Sequence, residues 1–412
     1  MQLQPGTPQE AGLSAARIAH IAKLAANWVA QGVTPALVVL VARRGRIVLH
    51  EAFGRLTPAP AAPALPRDAI YPLSSLSKPV TATAVMILVE DGLVGLNRPV
   101  AEYIPEFVGE GKPAVLVHHL LTHTSGLREE DVNLHIDQKR LAGVQIPPPA
   151  DTQHPKTNEL LFLGYDTPLW KSPGVEMSYC SYGCDLLGEI VRRVSGQSLQ
   201  AFARERIFAP LGMQDTWYSV PDLVRHRIVR RPPTAPYAGP ESPGWENLSV
   251  YPVRGPLSAW TPGIDSREWE ELPSGAGGVY STALDMAKFG QMFLNRGRYG
   301  ETRILSPAAV EAMTRNQIPG ISAQNSDQFL PEAGWGFCWD IHGQKKALYD
   351  GTLHSPHAFA HGGGGGVLLW VDPLYEIVGI YFSVVLRNTP GSEHEWMGDL
   401  FMNAVTAAVS DG

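Results

Sequence analysis

Apolar residues Ile18, Ile21, Leu24, Ala25 and Val29 recur at helical spacing, and Ser14 stands where an N-cap belongs. The pattern then changes period. ALVVLVA (36–42) and RIVLHEAFG (46–54) are β-rich runs joined by Arg43-Arg44-Gly45, which predicts a hairpin. GVLLWVD (366–372) and EIVGIYFSVV (376–385) flank Pro373-Leu374-Tyr375 and predict a second hairpin, with a closing helix over 393–409. Strands joined by tight turns run antiparallel. The two chain ends therefore predict one antiparallel sheet that carries terminal helices.

The middle of the chain has helical periodicity. Helices are predicted over 76–91, 182–195, 199–208 and 283–295, and Ser306-Pro307 opens another as N-cap and first residue. In the 182–195 segment, Leu186, Leu187, Ile190, Val191 and Val194 make the apolar face and Gly196 the stop. The stretch 221–273 is different, with ten prolines together with Tyr237, Trp245, Tyr251, Trp260 and Trp269. A long loop rich in aromatics predicts a structured cleft wall. The expected fold class is α/β (α+β): a discontinuous α/β domain from 1–72 and 274–412, with an inserted, mainly helical domain over 73–273.

Composition narrows the function. A chain of 412 residues with 44% hydrophobic and 18% charged positions folds, and its length favours two domains. The net charge of −7 gives no basis for a nucleic-acid partner. No stretch approaches the ~18 apolar residues of a membrane span, and MQLQPGTPQEAGLS lacks the pattern of a signal peptide. Three cysteines (Cys180, Cys184, Cys338) make no disulfide framework, so a reduced, cytoplasmic protein is expected.

Candidate chemistry lies at SSLSKP (74–79), three serines and a lysine directly ahead of VTATAVMILVE, a run apolar on every side. Helices of that kind belong in the interior. Residues i and i+3 share a helix face, so Ser75 and Lys78 meet there. A serine hydroxyl needs a neighbour to take its proton, and an amine does so once burial lowers its pKa. The free N–H groups of a helix start offer positive charge to a developing oxyanion.

Further blocks follow in order: HHLLTHTSGL (118–127), MSYCSYGCDLLGEIVRRVSG (177–196), GAGGVYSTALDMAKFGQMFLN (275–295) and HGGGGGVLLWVDP (361–373). Together with SSLSKP, these blocks resemble the serine β-lactamase-like superfamily: class C β-lactamases, D-alanyl-D-alanine peptidases and the family VIII carboxylesterases. The resemblance spans roughly residues 10 to 405. It implies Ser75 as the acyl-accepting nucleophile, Lys78 as its partner and Tyr179 as the residue that acts with the lysine as general base, then general acid. A phenol beside an ammonium is pushed toward tyrosinate, and the two should titrate as a unit. The resemblance places His361, Gly362 and Gly363 on a strand that lines the cleft, and makes the N–H groups of Ser75 and Gly364 the oxyanion hole. Ser181, His361 and Gly363 would contact substrate. No cofactor or metal is implied.

Two departures from the family pattern bear on substrate. Ser181 stands where lactamases and peptidases usually carry asparagine, and His361 stands where lysine is common. A fixed cation thus becomes a group mostly neutral above pH ~7. Both changes weaken recognition of acylamino, carboxylate-bearing substrates, while ester cleavage needs neither contact. A small-molecule ester is therefore the expected substrate, and a carboxylesterase the expected enzyme. A β-lactamase, a D-amino-acid peptidase or amidase, an acyltransferase, or a binding protein that kept only the fold stay open as alternatives. His119 and His123 have i, i+4 spacing but no third metal ligand nearby in sequence. His361–Gly364 imitates the HGGG loop of α/β-hydrolases, yet the G-x-S-x-G elbow of that fold is missing. Cys180 and Cys184 share a helix face and are expected in the core.

Overall fold

The computed structural model describes residues 1–59, 61–231, 264–325, 328–348, 350–385 and 395–411. Seven strands make the central sheet: β1 (Gln4–Pro5), β2 (Ala36–Arg43), β3 (Arg46–Gly54), β4 (Asp340–Ile341), β5 (Phe359–Gly363), β6 (Val367–Asp372) and β7 (Ile377–Ser383). Their spatial order is β1-β3-β2-β7-β6-β5-β4. Both predicted hairpins form, β2 against β3 and β6 against β7. Arg44 and Gly45 take φ of 52° and 73°, the left-handed pair that a two-residue hairpin turn demands. The expectation of a wholly antiparallel sheet is corrected at one edge, where β1 runs parallel to β3. No tight turn joins those two strands, so nothing local fixes their relative direction.

The principal helices are α1 (Ala15–Ala30), α2 (Lys78–Glu90), α3 (Glu129–Leu141), α4 (Ser181–Ser195), α5 (Ala283–Leu294) and α6 (Gly398–Thr406). Ser14 caps α1 by accepting from Arg17 N, as its position predicts. The helix predicted over 199–208 is an α-turn, Leu199–Ala203, continued by a π-turn over Arg204–Phe208. Ser306 caps Pro307–Thr314. The closing helix is shorter than 393–409, because Glu395, Trp396 and Met397 precede it as irregular chain. Helix α3 was not predicted. Only Val132 and Ile136 are buried on it, a stripe too thin for periodicity to register.

Strand β2 is buried along its whole length. Leu37, Val39 and Val41 face a cluster with α1 and α6, whereas Val38, Leu40 and Ala42 face a larger one that reaches α2 and α4. Burial on both faces explains the continuous apolar run. Helix α5 lies close on the inner face: a Cβ on Gly290 would meet Val378 at 2.9 Å and Leu369 at 3.0 Å. Of the predicted cleft wall, Tyr237, Trp245, Tyr251 and Trp260 fall outside the described residues. Trp269 packs beside Ile70, Val220 and Tyr280.

Candidate active site

The chain enters the site on a clamped strand. Tyr71–Pro72 pairs antiparallel with Tyr280–Ser281, and Leu73 N donates to Val279 O at 2.8 Å. Ser74 then takes φ +47°, left-handed for a residue with a side chain. Such conformations cost of order 1–3 kcal/mol and persist only where the surroundings impose them. Ser74–Ser77 form a 3-10 turn, and Lys78 opens α2. Ser75 thus sits in a tighter turn ahead of the helix, not on the α-helix that the spacing predicts. The correction brings the pair closer, since i and i+3 side chains eclipse in a 3-10 turn. Lys78 Nζ lies 2.9 Å from Ser75 Oγ. As part of a first turn, the Ser75 N–H has no acceptor within it. Ser77 is engaged otherwise, its Oγ accepting from Val279 N at 3.0 Å.

Lys78 is fully buried and also donates to Ala276 O at 3.1 Å. Burial pulls the ammonium pKa down, but the charges of Tyr179 and Cys184, a hydrogen bond with Tyr179 and the charge of Glu129 together carry it above the ordinary lysine value. Tyr179 keeps 38% of its surface open, while its ring centroid lies 4.8 Å from Lys78 Nζ. Burial pushes that phenol above its ordinary pKa despite the opposing pull of Lys78. These directions correct the expectation of a lowered lysine beside a tyrosinate. At neutral pH the resting pair is ammonium and phenol.

Ser181 opens α4, and its N–H donates to Glu129 Oε2 at 2.5 Å. The Tyr179 ring lies tilted against that of His123, with centroids 4.4 Å apart. His123 Nδ1 accepts from Cys180 N at 3.2 Å, and Ser178 N donates to His123 O at 2.8 Å. Burial, then the charges of Lys78 and His361, hold the His123 pKa well below its usual value, so the ring is neutral. Trp335 sets its edge against His123, Tyr179 and His361, at 5.5, 6.0 and 5.8 Å between centroids.

His361 and Gly363 lie on β5, and Gly364 follows in the turn to β6. A Cβ on Gly363 would sit 2.0 Å from Leu73 O, so only glycine lets this strand press against the backbone that delivers Ser75. The His361 ring is buried 6.3 Å from that of Tyr179, with Nδ1 2.6 Å from Gly362 O. The structure thus brings Ser75, Lys78, Tyr179 and His361 together and sets Gly363 against the backbone that precedes Ser75, with Ser181 two residues beyond Tyr179 and Gly364 next after Gly363.

Four further residues belong to it. Asp185 is buried on α4; its Oδ1 accepts from Ser274 Oγ at 2.8 Å and from Ala276 N at 3.3 Å, fixing the loop whose carbonyl holds Lys78. Burial raises its carboxyl to about 6. Glu129 and Trp335 gave no sequence signal, lying on a thin helix and in an irregular segment. His123 was visible only as a partner for His119, but His119 Nδ1 instead accepts from Leu116 N at 3.0 Å. Cys180 precedes α4, and Cys184 faces Cys338 with sulfurs 3.8 Å apart; all three thiols are buried and free.

Known proteins share this fold. A family profile described as Beta-lactamase matches residues 21–400. The chain is 29% identical over 375 residues to esterase EstB of Burkholderia gladioli, covering 85% of this chain and 89% of that one. A penicillin-binding protein homologue from Caulobacter crescentus superposes with a TM-score of 0.72 at 24% identity, covering 96% and 98% of the two chains. A family VIII carboxylesterase superposes with a TM-score of 0.69 at 22% identity, again over 96% and 98%. With a match that takes in nearly the whole chain and a sheet-and-helix fold in common, this protein belongs to the Beta-lactamase family.

Proposed function

We propose that this chain is a serine hydrolase of the family VIII carboxylesterase type, which cleaves small carboxylic esters through a covalent acyl-enzyme on Ser75. The observation that carries the reading is the 2.9 Å contact of Lys78 Nζ with Ser75 Oγ, with the Tyr179 ring centroid 4.8 Å from the same Nζ. Lysine and tyrosine share protons as one unit. Once that unit has lost a proton, the Tyr179 oxygen takes the Ser75 hydroxyl proton as Oγ bonds to the acyl carbon. The carbonyl oxygen becomes an oxyanion, received by the N–H groups of Ser75 and Gly364. Collapse breaks the ester C–O bond, and the leaving alcohol collects the proton from Tyr179. Water then attacks the acyl carbon, giving its proton to Tyr179, and the departing Ser75 oxygen takes that proton back. An alcohol in place of the water would make the same step an acyl transfer.

Esters rather than lactams or peptides fit the contacts at hand. Ser181 offers no amide group to an acylamino side chain, and His361 replaces a permanent cation. The similarity to EstB, a protein named as an esterase, supports the same choice. No helix among the described residues is long and apolar enough to cross a membrane. Three free thiols suit a reducing, cytoplasmic setting.

The test combines labelling and turnover. A fluorophosphonate probe should add one label by intact mass, mapped to Ser75, and short p-nitrophenyl esters should be hydrolysed faster than a chromogenic cephalosporin. A label on another serine, or a cephalosporin turned over faster than every ester, overturns the reading.

A further inference from the structure

Glu129 is a charge that the hydrolytic steps do not use. Part of its surface remains open, yet its carboxylate lies deep enough that burial raises its pKa. Its neighbours Glu130 and Asp131 both pair with Arg128, whereas no lysine, arginine or histidine lies within ion-pair distance of Glu129 among the described residues. What it does touch is the N-terminus of α4, through Ser181 N at 2.5 Å. Lys78 acts on it only through space, having its own contacts with Ser75 Oγ and Ala276 O. A buried carboxylate without a bonded counter-ion is costly, and a helix start supplies only partial positive charge. The position is also informative, because Ser181 is two residues beyond Tyr179, on the wall that stays open to the cleft.

Position 361 adds to this picture: it carries an imidazole in place of lysine, so a substrate carboxylate finds no fixed cation at that position. Tyr179, His123 and Trp335 form an aromatic cluster, and aromatic faces attract cations; Lys78 Nζ stands 4.8 Å from the Tyr179 ring centroid and Lys345 Nζ 5.9 Å from that of Trp335. The indole N–H of Trp335 is buried there with no hydrogen-bond partner among the described residues, so the face also keeps one donor for a ligand.

We propose that Glu129 makes this cleft selective for acyl donors that carry a cationic nitrogen beside the scissile carbonyl, such as aminoacyl esters. The inference rests on the esterase reading and names its substrate class. The ammonium would complete the ion pair that the fold leaves open, anchoring the acyl side while Ser75 meets the carbonyl.

The experiment compares two isosteres, the phenyl ester of alanine (each enantiomer) and phenyl isobutyrate, which differ by an ammonium in place of a methyl. Rates are measured at roughly pH 6.5, where an α-amino group is still protonated, and each is divided by its hydroxide-catalysed rate. The normalised kcat/KM should favour one alanine enantiomer over isobutyrate by at least ~10-fold in the wild type, as expected for a desolvated charge pair. In Glu129→Gln, which keeps an acceptor for Ser181 N, that ratio should fall at least ~10-fold. Relative affinity for 1-aminoethylboronic and isopropylboronic acids, read by protection of Ser75 from the fluorophosphonate, gives the same ratio without turnover.

A wild-type ratio near one for both enantiomers, with isobutyrate still hydrolysed, overturns the inference and leaves the esterase reading standing. Equal losses on both substrates in Glu129→Gln reduce Glu129 to a helix cap and also overturn it. If Ser75 takes neither probe nor boronate, the esterase reading falls and takes the inference with it. Should the variant fail to fold, the wild-type ratios decide.

Discussion

The sheet face that carries α1 and α6 and the face that carries α2 and α5 are buried equally well but treat polar groups differently. On the outer face, Leu37, Val39, Val41, Leu368, Trp370 and Phe401 pack together, and the buried polar groups there serve the scaffold: Arg43 donates to Ala11 O at 2.8 Å, Thr406 Oγ1 to Met402 O at 3.0 Å, and the Tyr381 hydroxyl is met by Met397 N at 3.2 Å. The inner side holds Lys78, Thr81, His123 and Asp185, all buried and all in the layer behind or beside the cleft. Burying such groups is unfavourable unless each is bonded, and Thr81 Oγ1 to Gly275 O at 2.6 Å shows how closely the bonding is arranged. One face therefore maximises packing, and the other gives up part of that stability to hold a nucleophile, its proton carriers and their supports.

Substitutions should separate the two faces. The largest effect is expected from Ser75→Ala, which should abolish ester hydrolysis and probe labelling with a thermal midpoint close to the wild type, read by calorimetry beside the activity assay. Activity that survives Ser75→Ala but not Ser77→Ala would break the assignment, although Ser77 Oγ is already committed to Val279 N.

Tyr179→Phe should come next, with a loss of ~10²–10⁴ in kcat, the usual contribution of positioned acid–base catalysis. Lys78→Ala should lose at least as much, and the double variant little more than the worse single one, because groups that act as a unit are non-additive. Fully multiplicative losses in that cycle would argue against a shared proton path.

The outer face should respond in the opposite sense. Trp370→Ala removes a fully buried ring and should cost ~3–5 kcal/mol of stability. The specific activity of the fraction that remains folded should stay near that of the wild type. Denaturant midpoints with active-site titration of Ser75 check both halves.

Two pH effects are smaller. Asp185, held at about 6 by burial, keeps its proton in the folded chain where the unfolded chain, near ~3.9, has lost it. Its contribution to stability is therefore full below ~4 and disappears as pH rises through about 6, on the order of 3 kcal/mol. Asp185→Asn should flatten thermal stability across that window; an unchanged slope would show that the carboxyl is ionised throughout. The rate should move the other way. Because Lys78 and Tyr179 both hold their protons at neutral pH and one must leave, kcat/KM should climb into the alkaline range by up to ~10-fold per pH unit. Tyr179→Phe should remove that climb.

Much of this organisation was legible in order and spacing. The hairpin Arg44-Gly45 was readable because one short turn fixes the pairing of its two strands, and α4 because five apolar residues and a terminal glycine mark its face and stop. The edge β1, paired to a strand forty residues away, and α3, with two buried residues, carried no comparable local signal. At the site, the three-residue spacing placed Ser75 next to Lys78 even though the local helix type was different. His123 stood out only for its i, i+4 spacing from His119, because spacing reveals which residues share a face and not what packs against them.

The sequence by itself determined which groups could do the chemistry, since nucleophile, lysine, tyrosine and glycine strand each stand in a local motif, and it determined the family to which those motifs point. Only the tertiary structure decided their protonation and their company. Whether Lys78 is lowered by burial or raised by Tyr179, Cys184 and Glu129 depends on charges that come from two other segments of the chain. The same holds for the carboxylate of Glu129 against the start of α4 and for Trp335 against three rings. Electrostatic and ring contacts act over a few ångströms in space, whatever the distance along the chain.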